Sequence, residues 1–458
     1  MENNYSFSKK FVEGEAVSNF WNLAYYGITS LNSFVIIYFL SVYEFGFYQL
    51  ILSVVAIAES LTAGLMDDLV FTDLSRYLGE KKHSFAKKLL KEYAIIKIGL
   101  AIILTVVLFG GASLISDYYS QDVVSFLKIV SFVLVFRVAL STMNTFFRSN
   151  IYFSAAAAPF VGEAFKFAAI FVLLFSVGLS ITSILIAYVI GHFSAFVFSA
   201  SHFLKIYRRT LVGVIAVKEP LMKALFKVHG FWIVARYVLS RVANNIRPWI
   251  INFLIGTEAV GLFSFARSIV AIIMRLMPLG TFGTLLPREL GDERRLNYLF
   301  NRMMKYSLWL GLIVALVSFI VIPLAIQLVF PKYAPAIPLF LIMIGVIFLY
   351  SIYKICRITL VIFKEQKALF FRSFDNSITA PLMLFILLPI FGIVGAALEW
   401  LITYAITTML FYYFLIKNHP YLRLEWKSFF TVDKQDRALS VRVYRLIKDF
   451  LKTKLRRL

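Results

Sequence analysis

The stretch HGFWIVARYVLSRVANNIRPWIINFLIG (residues 229–256) is long and apolar enough to cross a bilayer, yet it contains three arginines. A charged side chain at the centre of a bilayer costs at least about 2.5–3.5 kcal/mol by insertion scales. Arg236 and Arg247 lie within about two or three turns of the ends, where a long side chain can reach the interface. Arg241 lies near the middle and cannot. Its charge therefore requires a polar environment inside the membrane.

The polar side chains of this stretch fall on two faces of the predicted helix. At about 100° per residue, Arg236 and Arg247 are about 20° apart, whereas Arg241 shares its face with Asn245. Asn244 adds a further polar group between the arginines. Because a helix with two polar faces borders a polar interior, we predict that it lines a water-filled, positively charged cavity.

The composition of the whole chain indicates a membrane protein. It has 458 residues, of which 60% are hydrophobic and 16% charged, with a mean hydropathy of +0.81, whereas a soluble domain has about 25% charged residues. Its 47 Lys and Arg against 25 Asp and Glu give a net charge of +22. Because cytoplasmic loops are rich in Lys and Arg, this charge needs no nucleic-acid partner. We predict an all-α integral membrane protein.

About twelve transmembrane helices are predicted, in two parallel six-helix bundles around a central cavity. The predicted spans are roughly 16–40, 45–66, 91–114, 121–146, 152–177, 181–204, 229–255, 259–285, 305–328, 335–362, 372–391 and 393–416. Alternate connections are rich in Lys and Arg, which predicts that both termini are cytoplasmic. The expected division is a cytoplasmic N-terminal segment (1–15), a bundle (16–204), a cytoplasmic linker (205–228), a second bundle (229–417) and a basic amphipathic cytoplasmic tail (418–458).

The second span of each predicted bundle carries the same motif. The first reads EFGFYQLILSVVAI (44–57) and the second EAVGLFSFARSIVAI (258–272). When they are aligned on Gly46 and Gly261, Ser53 matches Ser268 and the sequence VAI follows in both. The spans leave the membrane through RYLGE and RELGD, respectively. These matches predict an internal duplication with parallel halves and a substrate site between them.

Charged residues inside the spans are the candidate binding groups. The cations outnumber the intramembrane acids, which predicts an anionic ligand, and the arginine guanidinium suits phosphate groups. A structural ion pair is the alternative for each cation, and Lys166 has a local partner three residues away in Glu163. The predicted anionic head-group site comprises Arg241, Arg247, Arg267, Arg275, Arg236, Arg137, Asn244 and Asn245.

Two acids are candidates for ion coupling. Glu59 and Glu163 lie in the middle of the second and fifth predicted spans. An intramembrane carboxylate can bind H⁺ or Na⁺, although a structural pair with an arginine is an equal alternative.

Catalytic and cofactor motifs are absent from the sequence. It contains no P-loop, GxSxG or HExxH motif, and its five histidines form no cluster with metal-ligand spacing. The single Cys356 excludes an intramolecular disulfide. The predicted external connections are also too short to hold a glycan acceptor. We therefore expect no enzymatic activity, no cofactor and no metal.

The architecture and the EFGFY turn (44–48) with its RYLGE exit resemble the polysaccharide flippases of the multidrug/oligosaccharidyl-lipid/polysaccharide exporter superfamily. The resemblance implies alternating access and translocation of an undecaprenyl-pyrophosphate-linked oligosaccharide from the cytoplasmic to the external leaflet of the bacterial inner membrane. Expected partners are the lipid-linked substrate, membrane lipids, H⁺ or Na⁺, and a downstream glycan polymerase. The alternatives are a cation-coupled drug antiporter, which needs an acidic cavity, and a membrane glycan polymerase or transferase, which the short external connections disfavour.

Overall fold

The structure is a computed structural model of the 458-residue chain. It describes the backbone of residues 2–62, 66–115, 121–227, 231–277, 292–363, 365–425, 429 and 431. Within these ranges it does not describe the side chains of residues 2–16, 18, 68, 114–115, 121–123, 153, 231–237, 240, 366 and 371–376.

The described chain is built from α-helices joined by short connections, and no strand occurs in these ranges. The helices are α1 (Glu2–Phe39), α2 (Val42–Leu61), α3 (Met66–Gly79), α4 (His83–Gly111), α5 (Gln121–Ser149), α6 (Ala158–Ser176), α7 (Ile181–Thr210), α8 (Leu221–Leu225), α9 (Phe231–Leu254), α10 (Thr257–Leu276), α11 (Glu293–Val329), α12 (Ile337–Ile362), α13 (Gln366–Phe391) and α14 (Val394–Asn418). Short 3₁₀ segments precede α6 and α12 at Phe153–Ala157 and Pro331–Ala336. The predicted all-α membrane fold is confirmed.

Each of the twelve predicted spans coincides with one of these helices. Within the described residues, nine helices are long and apolar enough to cross a membrane. Helices α1, α9 and α13 occupy the other three predicted positions, and the apolar part of α13 found by the same criterion is the shorter Ser377–Phe391. The count of twelve and the cytoplasmic location of both termini stay predictions.

The predicted second span does not continue as one helix to the RYLGE exit. Helix α2 ends at Leu61, with Thr62 as its C-cap, and a separate helix α3 begins at Met66. The start of α2 is held by a capping box, in which Ser41 Oγ accepts from the Glu44 backbone N–H and Glu44 Oε2 accepts from the Ser41 N–H at 2.8 Å. The EFGFY turn is therefore a helix start, and its glutamate has a local structural role.

Helices α2 and α10, which carry the repeated motif, pack against each other at the two glycines on which the motif aligns. A Cβ atom at Gly46 would overlap the Thr257 carbonyl oxygen and approach the Gly261 nitrogen, and a Cβ atom at Gly261 would overlap the Val42 carbonyl oxygen. In the alignment, Val42 corresponds to Thr257, so the two contacts are reciprocal. Such reciprocity is the signature of a local two-fold relation, which supports the predicted duplication.

The described contacts divide the chain into two compact units. The first contains Met1–Leu276, Ser318–Val346 and Phe370–Thr403. One of its cores lies among α3, α4, α5 and α7, around Val70, Leu89 and Phe146.

The second unit contains Met277–Val317, Ile347–Leu369 and Tyr404–Leu458. Its core gathers Phe300, Cys356 and Phe411, together with Phe429 of the predicted tail. Trp309 Nε1 donates to the Phe429 carbonyl at 3.1 Å. The first part of the predicted tail therefore packs inside this unit. The amphipathic stretch predicted from residue 439 onward lies outside the described residues, and the predicted domain boundaries stay predictions.

Candidate functional site

A cavity of about 650 Å³ lies among helices α1, α2, α5, α6 and α7 of the first unit. Its size is within the range of about 300–1,000 Å³ typical of ligand sites. Polar and charged side chains from five helices converge on it. They are Asn22, Tyr25, Glu59, Arg137, Ser141, Asn144, Arg148, Glu163, Lys166, His192 and Ser199. Four of these helices, α2, α5, α6 and α7, are long and apolar enough to cross a membrane, so the polar cavity is expected at membrane depth.

Arg137 and Glu59 form an ion pair on the cavity wall. Arg137 Nη2 lies 2.7 Å from Glu59 Oε2, and Arg137 Nη1 donates to Tyr188 Oη at 3.2 Å. The two side chains are 29% and 30% exposed, so both charged groups remain accessible from the cavity. The sequence placed Arg137 in the anion site and Glu59 in the ion-coupling site. The structure brings the two residues into direct contact.

Lys166 and Glu163 form a second pair, as the i−3 spacing predicted. Lys166 Nζ lies 3.3 Å from Glu163 Oε2, and the same oxygen accepts from Asn32 Nδ2 at 2.7 Å. Their side chains are only 8% and 13% exposed. This pair is therefore less accessible than the pair of Arg137 and Glu59, and Glu163 is held by two neighbours.

The lining residues carry more positive than negative side chains. Arg137, Arg148 and Lys166 are cationic, whereas Glu59 and Glu163 are acidic. Arg148 lies over the Phe71 ring, with its guanidinium carbon 4.4 Å from the ring centroid. Among the described lining residues there is thus one more cation than acid when His192 is neutral.

The arginines of α9 have different surroundings. Arg247 is 1% exposed, with Nη2 3.0 Å from Glu399 Oε1 and Nη1 donating to Asn244 Oδ1 at 2.8 Å. Glu399 is fully buried, and its Oε1 also accepts from Thr403. This buried pair accounts for the charge of Arg247 at membrane depth without a ligand. The assignment of Arg247 and Asn244 to an anion site stays a prediction.

Arg241, in contrast, is exposed, and its backbone carbonyl accepts from Asn245 Nδ2 at 2.8 Å. Arg241 and Asn245 are therefore neighbours on α9, as their spacing in the sequence predicted. The side chain of Arg236 lies outside the described residues.

The two candidate arginines of α10 lie over aromatic rings. The guanidinium carbon of Arg267 is 5.9 Å from the ring centroid of Trp400 on α14. That of Arg275 is 5.9 Å from the ring centroid of Tyr26 on α1, and Arg275 is exposed. Of the α9 and α10 arginines with described side chains, none lines the 650 Å³ cavity.

A buried charge network around Lys97 was not predicted from the sequence. Lys97 of α4 has a 2% exposed side chain, and its Nζ donates to Asp67 Oδ1 at 2.5 Å and to Ser141 Oγ at 2.8 Å. Asp67 also accepts from Tyr93 Oη and, at 2.5 Å, from Ser141 Oγ. Lys97 is a charged residue inside the predicted span 91–114. It could therefore have been found from the sequence in the same way as Arg241. The network links α3, α4 and α5 beyond the end of α2.

No group of three or more His, Cys, Asp and Glu side chains that could hold a metal ion occurs within the described ranges. Four of the charged side chains around the cavity form two ion pairs, Arg137 with Glu59 and Lys166 with Glu163.

Comparisons with known proteins identify the family. The model of the family described as "Polysaccharide biosynthesis protein" matches residues 35–279, which is more than half of the 458-residue chain. No curated protein matches the sequence.

Solved structures show which fold the chain shares. An inward-facing multidrug resistance MATE family transporter of the MOP superfamily has a TM-score of 0.71 at 12% identity, with 87% of this chain and 95% of that chain covered. The lipid II flippase MurJ, in an inward closed conformation, has a TM-score of 0.68 at 15% identity, with 97% and 99% covered. A MOP superfamily transporter from Pyrococcus furiosus, whose binding pocket has a reversed polarity, has a TM-score of 0.59 at 14% identity, with 91% and 95% covered. The chain has the fold of these transporters and belongs to the polysaccharide biosynthesis protein family, as the resemblance predicted.

Proposed function

We propose that this protein is a flippase that moves an undecaprenyl-pyrophosphate-linked oligosaccharide from the cytoplasmic to the external leaflet of the bacterial inner membrane. Sugars and a pyrophosphate cannot cross about 30 Å of hydrocarbon unaided, whereas the prenyl chain is stable there. The protein therefore needs to shelter only the head group. Family membership in polysaccharide biosynthesis and the fold of MOP superfamily transporters support this function.

The observation that carries the proposal is the accessible ion pair of Arg137 and Glu59 on the wall of the polar cavity. The pair of Arg247 and Glu399, in comparison, is buried, with side chains that are 2% and 0% exposed. Arg137 instead keeps part of its guanidinium open to the cavity, where a phosphate could bind in a bidentate manner. Arg148 and Lys166 add positive charge around the same volume.

Coupling to an ion gradient follows from the contact between these two residues. When Glu59 binds a proton, its negative charge disappears and Arg137 loses the charge that compensated it. With the protein open to the cytoplasm, an anionic head group can then bind Arg137 while the proton leaves Glu59 to the cytoplasm. With the protein open to the outside, the Glu59 carboxylate pairs with Arg137 again and expels the head group, so the proton moves inward as the head group moves outward. Na⁺ bound by the Glu59 carboxylate would act in the same way. Alternating access would carry the head group across between these two states.

The proposal is tested by polysaccharide export in cells that lack the protein and receive variants of it. Arg137→Ala should abolish export while the membrane level of the protein stays normal, because the pair is partly exposed. Lys128→Ala is the matched control, since Lys128 lies on the same helix α5 and does not line the cavity. Normal export by Arg137→Ala would contradict the proposed site. Accumulation of the lipid-linked oligosaccharide in the Arg137→Ala strain would locate the defect at translocation.

A further inference from the structure

A second cavity, of about 590 Å³, has the opposite character from the polar one. Its lining comes from the end of α2, from α4, from the segment at α8 and from α9. Seven of the ten lining residues are apolar, including Leu61, Ile96, Leu100 and Phe226. These four side chains are between 36% and 48% exposed, so the cavity is a groove with an open side. We call it the apolar groove.

Among the described lining residues of the apolar groove, three have polar side chains. Ser60 Oγ donates to the Ile57 carbonyl of its own helix at 2.6 Å and is therefore already satisfied. The other two are Lys223 and Lys227, both exposed and four residues apart. The groove thus offers hydrocarbon contacts from its apolar lining and two lysines from the segment at α8.

The lysine-bearing segment is fixed to α4. The Met222 backbone N–H donates to Glu92 Oε2 at 2.9 Å, and Met222 itself is 3% exposed. Lys87 Nζ donates to the Val214 carbonyl at 2.8 Å earlier in the same connection. Part of the predicted linker is therefore docked on α4, and it holds the two lysines at the groove.

The apolar groove and the polar cavity share one turn of α2. Glu59 lines the polar cavity, whereas the next two residues, Ser60 and Leu61, line the groove. Successive residues of a helix point about 100° apart, so α2 has the charged cavity on one side and the apolar groove on another. A lipid with a charged head and a hydrocarbon chain has the same two-part character.

We propose that the apolar groove binds the hydrocarbon chain of the transported phosphate-bearing lipid, with the phosphate on Lys223 and Lys227, before the head group enters the polar cavity. This inference rests on the proposed function. An apolar chain fits the lining, and ammonium groups attract phosphate at the side of the membrane where the positive connections are predicted. A bulk phospholipid has similar chemistry, and the following experiment separates the two.

The test measures lipid binding to the purified full-length protein by native mass spectrometry. The probes are a polyprenyl monophosphate and phosphatidylglycerol. The wild-type protein should bind the polyprenyl phosphate more tightly, and replacing both lysines with alanine should weaken that binding about 30-fold. Ile96→Trp, which fills the groove, should weaken it as well. Val107→Trp is the control, because Val107 is exposed on the same helix α4 and does not line the groove.

Unchanged polyprenyl phosphate binding in the Lys223→Ala, Lys227→Ala double variant and in Ile96→Trp would overturn the proposal. Equal affinity of the wild type for phosphatidylglycerol would also overturn it, because the groove would then be a general site for anionic lipids. Because binding is measured without transport, a protein that binds the prenyl lipid in the groove but does not flip it would refute the proposed function and leave this site intact.

Discussion

Replacement of Arg247 by alanine should destabilise the protein, because it leaves the Glu399 carboxylate buried without its cation. The two side chains are 2% and 0% exposed, and the change removes the contact of 3.0 Å together with the hydrogen bond to Asn244. Breaking a buried ion pair from one side costs about 3–5 kcal/mol. We expect a lower membrane level of Arg247→Ala and a lower melting temperature of the purified protein.

The double variant Arg247→Met, Glu399→Leu separates a structural from a binding role. Replacing a buried pair by apolar side chains of similar volume is often neutral or stabilising by about 1–4 kcal/mol. The double variant should therefore melt near the wild-type temperature and still export polysaccharide. An Arg247→Ala protein with wild-type stability would refute this reasoning. A stable double variant without export would instead assign Arg247 to the anion site.

Three further predictions follow from the packing and the charges. Gly46→Ala should reduce stability or trap one conformation, because its Cβ atom would collide with the backbone of α10. Gly99→Ala, whose Cβ atom would enter open space, should behave as wild type. The melting temperature and polysaccharide export are measured for both variants. Lys97→Met should destabilise the protein by about 3–5 kcal/mol, since Asp67 would be left without its cation. Restored stability in the Lys97→Met, Asp67→Leu double variant would verify that the two side chains form a structural ion pair. Glu59→Gln should keep the protein folded and abolish the pH dependence of transport; a wild-type pH profile would exclude Glu59 as the coupling group.

The helices were accessible from the sequence because they depend on local properties. Apolar runs of about 20 residues locate spans without knowledge of their neighbours. The aligned glycines Gly46 and Gly261 were found as a sequence match, and the structure adds that they touch. The interruption between α2 and α3 was not predicted, because the sequence around 62–66 contains no proline and remains moderately apolar.

The partners of the charged residues could not be predicted, because they come from distant parts of the chain. Arg247 meets an acid 152 residues away, and Lys97 meets one 30 residues away. The sequence correctly paired Lys166 with Glu163, since these residues are only three positions apart on one helix. The excess of intramembrane cations was read as a single site on α9 and α10. The structure adds a polar cavity among α1, α2, α5, α6 and α7, and of the predicted arginines with described side chains Arg137 alone contributes to it.

The most direct test of the central claim is a translocation assay in liposomes. Purified protein is reconstituted with a lipid-linked pyrophosphate oligosaccharide, and an external probe measures how much glycan becomes accessible in the outer leaflet. We predict protein-dependent exposure of the glycan that is lost in Arg137→Ala and retained in Lys128→Ala. No protein-dependent exposure, together with exchange of a cationic dye for H⁺ or Na⁺, would contradict the flippase and identify an antiporter.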